Sequence, residues 1–555
     1  MRLFILVTLV TAYLGCIVLT PANARLRTFK TRNSQQRRAI DASNTQFQVK
    51  SQSLQRLATD QSARICTSTV TNPPPMRLRQ PQLCDPEVKQ YSGYVDLHDD
   101  RHVFFWYFGS RTRLSPDFNP SQNKVPLVFW FSGGPGCSSQ IANWQENGPC
   151  LYVPTNSSFD PTLTDTQRKA LPHEVRRNPW AWNTVADIVF IDQPIGTGFS
   201  YGRVANSTEA ATETAWLTMQ AIYAKLQADA TGRREINTQD VYIFGESYAG
   251  RYIPLFTEYL MHMNDIIAQS TDLQTRGFTE LPLRGIGIGN GMYDYKLQSP
   301  TYYDIACNSS YPPLFSDIQC AYIKNVMNPR CHSRINDCYG KDPLPTSAQI
   351  MRSEKCPKPV AEPWRMFDSC KSAESACNFP LGWTTLISTY DVRPGARLVP
   401  DDYIEYLQSR EFTDAIGVTD TGIPYEECSD TVFDAFGSTV DSMSRSSISS
   451  LQYILDRQLP ILMYNGDADF ICNWYGNLAV ARALKWEGQE RFRTEEPKKW
   501  TWPAKSGKDI DAGQVTAVDN LTFLRIYEAG HEVPYYQPQA SLYMLAQFIT
   551  NQKIH

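Results

Sequence analysis

The sequence predicts an α/β protein with a mostly parallel central sheet and one long insertion that caps it. Three observations carry this. Continuous apolar runs such as Val125 to Phe131 and Ala186 to Ile191 alternate with helical patterns and end in polar, Gly- or Pro-containing loops, as expected of strands buried on both faces. The alternation stops from about Met292 to Ser449, where Pro, Cys and polar turns take over, and resumes at Pro460 to Tyr464. Between these parts stands Gly245-Glu246-Ser247-Tyr248-Ala249-Gly250, a serine set between a β-rich run and a helical pattern. It reads as a nucleophile elbow, in which small residues on both sides let a sharp turn close.

The chain opens with Arg2 and an apolar run from Leu3 to Leu19, followed by Pro21-Ala22-Asn23-Ala24. This pattern predicts a secretory signal peptide over 1–24, cut after Ala24. Residues 25–85 begin as a basic, Gln/Ser/Thr-rich stretch, expected to be a propeptide or a loosely docked arm. The first part of the core, 86–291, then carries a hairpin (Tyr91 to Leu97, Val103 to Phe108), the strand ending at Phe131, and the strand ending at Ile191. It continues with a helix from Glu209 to about Ala230, the elbow strand and helix, and a strand from Leu283 to Gly289. The cap insertion is 292–449. The second part of the core, 450–555, holds a strand at Pro460 to Tyr464, a helix near Asn473 to Leu484, a strand around Leu521 to Ile526 and a closing helix from Gln537 to Ile549.

Of the 14 cysteines, Cys16 lies in the signal segment, and eight of the rest fall in the insertion. The odd number left after signal removal fits six disulfides and one free thiol in an oxidising compartment. Asn156, Asn206, Asn308 and Asn520 begin glycosylation sequons. A net charge of -4 and the lack of a basic stripe in the body argue against nucleic acid as a partner. After signal cleavage no run is long and apolar enough for a membrane span. Secretion, or delivery to a vacuole or lysosome lumen, is expected.

A nucleophilic serine needs a base, and in the α/β-hydrolase order serine is followed by an acid and then a histidine. That order sorts the seven histidines. His98, His102 and His173 precede Ser247. His262 would lie roughly 22 Å along the following helix at 1.5 Å per residue. His332 sits in the cysteine-rich insertion, and His555 is the last residue. His531 remains, in a loop after a predicted strand. The acid should follow the strand at Pro460, where Asp467 and Asp469 both stand, and spacing does not choose between them.

Five blocks in this order resemble the serine carboxypeptidases: Trp130 through Ser139, Asp192-Gln193-Pro194, Gly245 through Gly250, Asp467 through Asn473, and Gly530-His531. The resemblance runs from about Gln90 to the end and implies an α/β-hydrolase fold with a cap. It also implies removal of C-terminal residues from peptides and proteins through an acyl-enzyme at acidic pH, without metal or cofactor. Carried onto this sequence, it implies Ser247 as nucleophile, Asp469 rather than Asp467 as the acid, and His531 as base. Backbone amides of Gly134 and Tyr248 would form the oxyanion hole. Glu146 and Glu246 would bind the substrate's carboxylate as neutral acids. Trp130 and Gly133 stand as in the family, whereas Ser132 occupies a place commonly held by asparagine. Cys472 matches an unpaired thiol near the substrate. Glu532 matches a position that is methionine in some members, and its charge would favour a basic leaving residue. An acyltransferase or a lipase would share the serine, acid and histidine but has no use for both glutamates, and a protective binding protein would have no need of the triad.

Overall fold

The computed structural model describes residues 72–119, 124–155, 167, 169–230, 240–339, 364–378, 388–396, 399–444, 446–503, 508–552 and 554. The predicted signal peptide and Asn156 lie outside them. The chain enters the main sheet through a short strand, β1 (Met76–Arg79), and the hairpin β2 (Gln90–Leu97) and β3 (Arg101–Phe108), whose turn places Asp99 and Asp100 at positive φ. Then come β4 (Leu127–Phe131), a separate hairpin of β5 (Cys150–Pro154) and β6 (His173–Arg177), β7 (Asp187–Ile191) and the two-residue β8 (Tyr201–Gly202). The elbow strand is β9 (Val241–Glu246), followed by β10 (Leu283–Gly289). Beyond the insertion lie β11 (Ile461–Gly466), β12 (Lys498–Pro503), β13 (Asp509–Val518) and β14 (Leu521–Ile526).

The order across the sheet is β1-β2-β3-β7-β4-β9-β10-β11-β14-β13-β12. From β7 to β14 every neighbouring pair is parallel, and the flanking strands on either side are antiparallel. The central strands are buried along their whole length, which is why they read as unbroken apolar runs. Alternation along a strand sends side chains to opposite faces. Leu127, Phe129 and Phe131 join one core with Ile253, Phe256 and Leu260 of helix Ala249–Gln269, while Val128 and Trp130 join a second with Met544, Leu545 and Phe548 of helix Pro538–Ile549. Helices thus cover both faces, and the carboxyl ends of β4, β9, β11 and β14 open into the loops that carry the candidate site.

Among the described residues, the regular elements of the insertion are all helices, joined by irregular stretches. Helices Asn328–Tyr339 and Trp364–Cys377 are joined twice, by Cys331–Cys377 and Cys338–Cys370, and Cys307–Cys320 closes a short loop. Cys137–Cys428 ties the insertion to the loop after β4, and Cys84–Cys150 ties the approach to β2 to β5. Among the described residues there are therefore five disulfides, and Cys472 is unpaired. Cys66 and Cys356 lie outside the described residues.

Three features differ from the sequence expectation. The span 25–85 does not stay apart from the sheet at its end, because Met76–Arg79 pairs with β2 and Cys84 is bonded to Cys150. The hairpins β5–β6 and β12–β13 were not anticipated; both carry charged, partly exposed positions that blur the apolar pattern.

Candidate active site

Ser247 joins β9 to helix Ala249–Gln269 with φ 61, a left-handed conformation that is strained for a residue with a side chain. The turn is fixed from outside. The Ser247 amide donates to Gly289 O, and Ser247 O accepts from the amides of Gly250 and Met292, each at 2.9 Å. A Cβ on Gly245 would lie 2.1 Å from Phe131 O, and one on Gly250 would lie 2.5 Å from Met292 O. These near contacts explain the small residues of the motif. A Cβ on Gly133 would meet Ser247 Cβ at 2.6 Å and the Tyr248 amide nitrogen at 2.5 Å, so the loop after β4 rests directly on the elbow. Next to it Gly134 is exposed, at φ 106, whereas Tyr248 is buried.

His531 follows β14 and Asp469 follows β11, neighbouring parallel strands. Their loops meet: His531 Nδ1 lies 2.8 Å from Asp469 Oδ2, and both residues are buried. Asp469 is held by Asn290 Nδ2 at 2.9 Å and by the amides of Ile471 and Cys472 at 3.0 and 3.2 Å. With Nδ1 on the carboxylate, Nε2 is left for proton traffic. Asp467 faces elsewhere. It accepts from Tyr311 Oη at 2.6 Å, and from Arg525 and the Glu528 amide, each at 3.0 Å. Burial lowers the His531 pKa, but Asp469, Glu532 and Glu246 outweigh it and raise the group to about 9.

Three carboxyl groups gather beside this pair. Glu246 and Glu146 are 6% and 2% exposed, and among the described residues no donor other than the Glu246 carboxyl meets the carboxyl of Glu146. Burial, then the charges of Glu246 and Glu532, push Glu146 well above the usual carboxylate range. Burial is also the main cause for Glu246, raised to about 7 although His531 and Glu146 pull it down, and for Glu532, raised to about 8. Burial favours the neutral form of a carboxyl, and a protonated carboxyl donates. Ser132 Oγ accepts from Trp130 Nε1 at 3.1 Å, which leaves the serine hydroxyl proton to be given away. Trp130 itself is buried, with its indole N–H turned to Ser132. Gly133 is likewise buried against the elbow. Cys472 is buried, and burial and then the Asp469 charge push its thiol pKa up.

Asp192 and Ser139 stand in two of the motif blocks without a role assigned from sequence, whereas Tyr390 and Asn290 escaped the sequence reading. Asp192 accepts from Ser138 Oγ at 2.7 Å and from the Ser139 and Phe199 amides, each at 3.0 Å, and Ser139 Oγ in turn accepts from the Ser132 amide. Tyr390, in the insertion, accepts from the His531 amide at 2.8 Å and sets its ring edge against the imidazole. Asn290 had a local signal, a polar residue between glycines at the end of β10, and Tyr390 had none. Of the sequons, Asn206 and Asn308 are exposed, whereas Asn520 Nδ2 donates to Leu455 O and Leu459 O.

A serine raised at the carboxyl end of a parallel sheet, with acid and histidine on the two following loops, defines an α/β hydrolase. The sequence profile of the family described as serine carboxypeptidase matches residues 80–551. Carboxypeptidase S1 of Penicillium janthinellum is 33% identical over 482 residues, 85% of this chain and 98% of that protein. Carboxypeptidase Y homolog A of Coccidioides posadasii is 33% identical over 467 residues, 82% of this chain and 74% of that protein. The solved structure of a prohormone-processing carboxypeptidase from Saccharomyces cerevisiae shares the fold with a TM-score of 0.63 at 22% identity, covering 85% of this chain and 94% of that one. This chain belongs to the serine carboxypeptidase family. It is a serine-type carboxypeptidase, an enzyme that removes residues from the carboxyl end of peptides.

Proposed function

We propose that Ser247 Oγ attacks the last peptide carbonyl of a peptide or protein chain while His531 takes its proton, with Asp469 orienting the imidazole. His531 then gives the proton to the leaving amino acid, and water, activated by the same histidine, releases the shortened chain from Ser247. The amides of Gly134 and Tyr248 stabilise the tetrahedral oxyanion. The observation that carries the exopeptidase reading is the buried Glu146–Glu246 pair beside the elbow, with Glu246 raised to about 7. As neutral acids, together with the Ser132 hydroxyl, these groups bind a free terminal carboxylate; ionised, they repel it. Binding is therefore an acidic-pH property. When Glu246 and Glu532 hold their protons, two of the charges that raise His531 vanish, so the base sheds its proton more readily in the same range.

Glu532 is the residue expected to select a basic leaving group. Since it is raised to about 8, it is neutral at acidic pH and its charge acts only above that. The expected compartment is the secretory route or a vacuole or lysosome lumen, supported by the disulfides and the signal pattern. No helix among the described residues is long and apolar enough to cross a membrane. A blocked dipeptide tests the assignment. Release of its terminal amino acid at mildly acidic pH, abolished in Ser247→Ala, is expected; no release, or release that survives the substitution, refutes it.

A further inference from the structure

We infer that Asp441, in the insertion, is a positioning residue for the Tyr248 amide of the oxyanion hole. The inference rests on the reading above of Tyr248 as an oxyanion donor. Tyr248 follows the strained Ser247, so the direction of its N–H depends on where its own Cα is held. Its hydroxyl donates to Asp441 Oδ2 at 2.6 Å, and both residues are buried. The carboxylate is fixed in turn: it accepts from Thr208 Oγ1 at 2.7 Å and from the Thr208 amide at 3.1 Å, at the start of helix Thr208–Ala230. The Asp441 carbonyl accepts from Arg251 Nη2, in the first turn of the elbow helix, at 3.0 Å. One aspartate therefore joins the insertion, a core helix and the residue after the nucleophile.

The stretch leading to Asp441 braces the other donor as well. Helix Asp430–Thr439 begins two residues after Cys428, which is bonded to Cys137 of the Gly134 loop; the Ser138 amide donates to Glu427 O and the Ser429 amide to Gly136 O. A Cβ on Gly136 would touch Val432 of this helix at 2.8 Å, and Phe436 sets its ring edge-on to Tyr248 and Tyr252. Both proposed donors are thus held from residues 427–441. A misplacement of an oxyanion donor costs the transition state and spares the ground state.

The test compares Asp441→Asn and Tyr248→Phe with the parent enzyme, each corrected for active sites by stoichiometric labelling of Ser247. The expected result is kcat lowered about tenfold or more with KM within about twofold. The inhibition constant of a peptide aldehyde, which forms a tetrahedral adduct, should rise in parallel, while that of a product amino acid stays unchanged. The double variant should lose no more than the worse single one, because the two act through one hydrogen bond. Unchanged kcat per labelled site in Tyr248→Phe, or equal weakening of aldehyde and product, overturns the inference. Tyr248→Phe decides the matter alone where Asp441→Asn does not accumulate. Activity surviving in Ser247→Ala would instead overturn the reading on which the inference rests.

Discussion

Replacing Glu246 by Gln keeps the size of the side chain and an N–H donor but removes the titration. Two consequences can be sized. The wild-type carboxyl moves from its ordinary 4.5 to about 7 on folding. At ~1.4 kcal/mol per pH unit, ionising this buried group costs about 3 kcal/mol. A raised folded-state pKa means that the protonated form is favoured in the native protein. Its contribution to stability is complete below pH 4.5 and is lost as pH rises through about 7. Glu246→Gln should therefore match the wild type in unfolding free energy relative to a pH 4 reference and gain on it by up to about 3 kcal/mol at pH 8. Catalysis should follow the same group: at pH 8 about one tenth of the wild-type carboxyl is still neutral, so kcat/KM for a free-acid dipeptide falls about tenfold from its acidic plateau. In Glu246→Gln that alkaline limb should flatten or move upward, and a peptide amide, which offers no carboxylate, should lack it even in the wild type. Release of the terminal residue from paired acid and amide substrates between pH 4 and 8, with denaturant unfolding at the two ends, measures both effects. An alkaline limb that is identical in the variant, or identical for amide and acid substrates, would refute the role given to Glu246.

Asp469→Asn should lower kcat by about 10⁴-fold, because the Ile471 amide keeps the new side-chain oxygen at the Oδ1 place and the NH₂ takes the Oδ2 place facing His531 Nδ1, favouring the wrong tautomer, while Asn290 Nδ2 and the Cys472 amide lose their acceptor; steady-state kinetics with circular dichroism checks it. Glu532→Gln should behave as the wild type toward Lys and Arg leaving residues at acidic pH, and lose about tenfold of any preference for them above pH 8, where the wild-type group is ionised; a set of dipeptides differing in the last residue reads this out. Asn520→Ala should cost about 1–3 kcal/mol in unfolding free energy, since Leu455 O and Leu459 O lose their donor. Peptide mapping by mass spectrometry should find glycans on Asn206 or Asn308 but not on Asn520.

The strands and the elbow were legible because both are local in sequence. β10 and β14 fall at the residues expected, since a strand buried on two faces shows as an apolar run between polar loops. The elbow shows because a tight turn needs small residues on both sides of one serine. By contrast, β12 opens on the exposed pair Lys498-Lys499, and Asp509-Ile510-Asp511 is exposed at the start of β13. The choice between Asp467 and Asp469 could not come from spacing, because it depends on Tyr311, Arg525 and His531 arriving from other loops. Asp441 was hidden for the same reason: an acid among serines in the insertion gives no hint of a tyrosine 193 residues earlier in the chain. Trp130, by contrast, was placed by its motif, while its burial could be seen only in three dimensions.

Cys137 and Cys428 are 291 residues apart, and His531 comes later still. During synthesis the loop bearing Gly134 emerges long before the segment that braces it. A chain extended only past Ser247 thus lacks both its proposed base and its bracing until the segments bearing Cys428 and His531 have followed. A partial chain that carries Ser247 but neither Cys428 nor His531 therefore holds the elbow without the partners proposed for it.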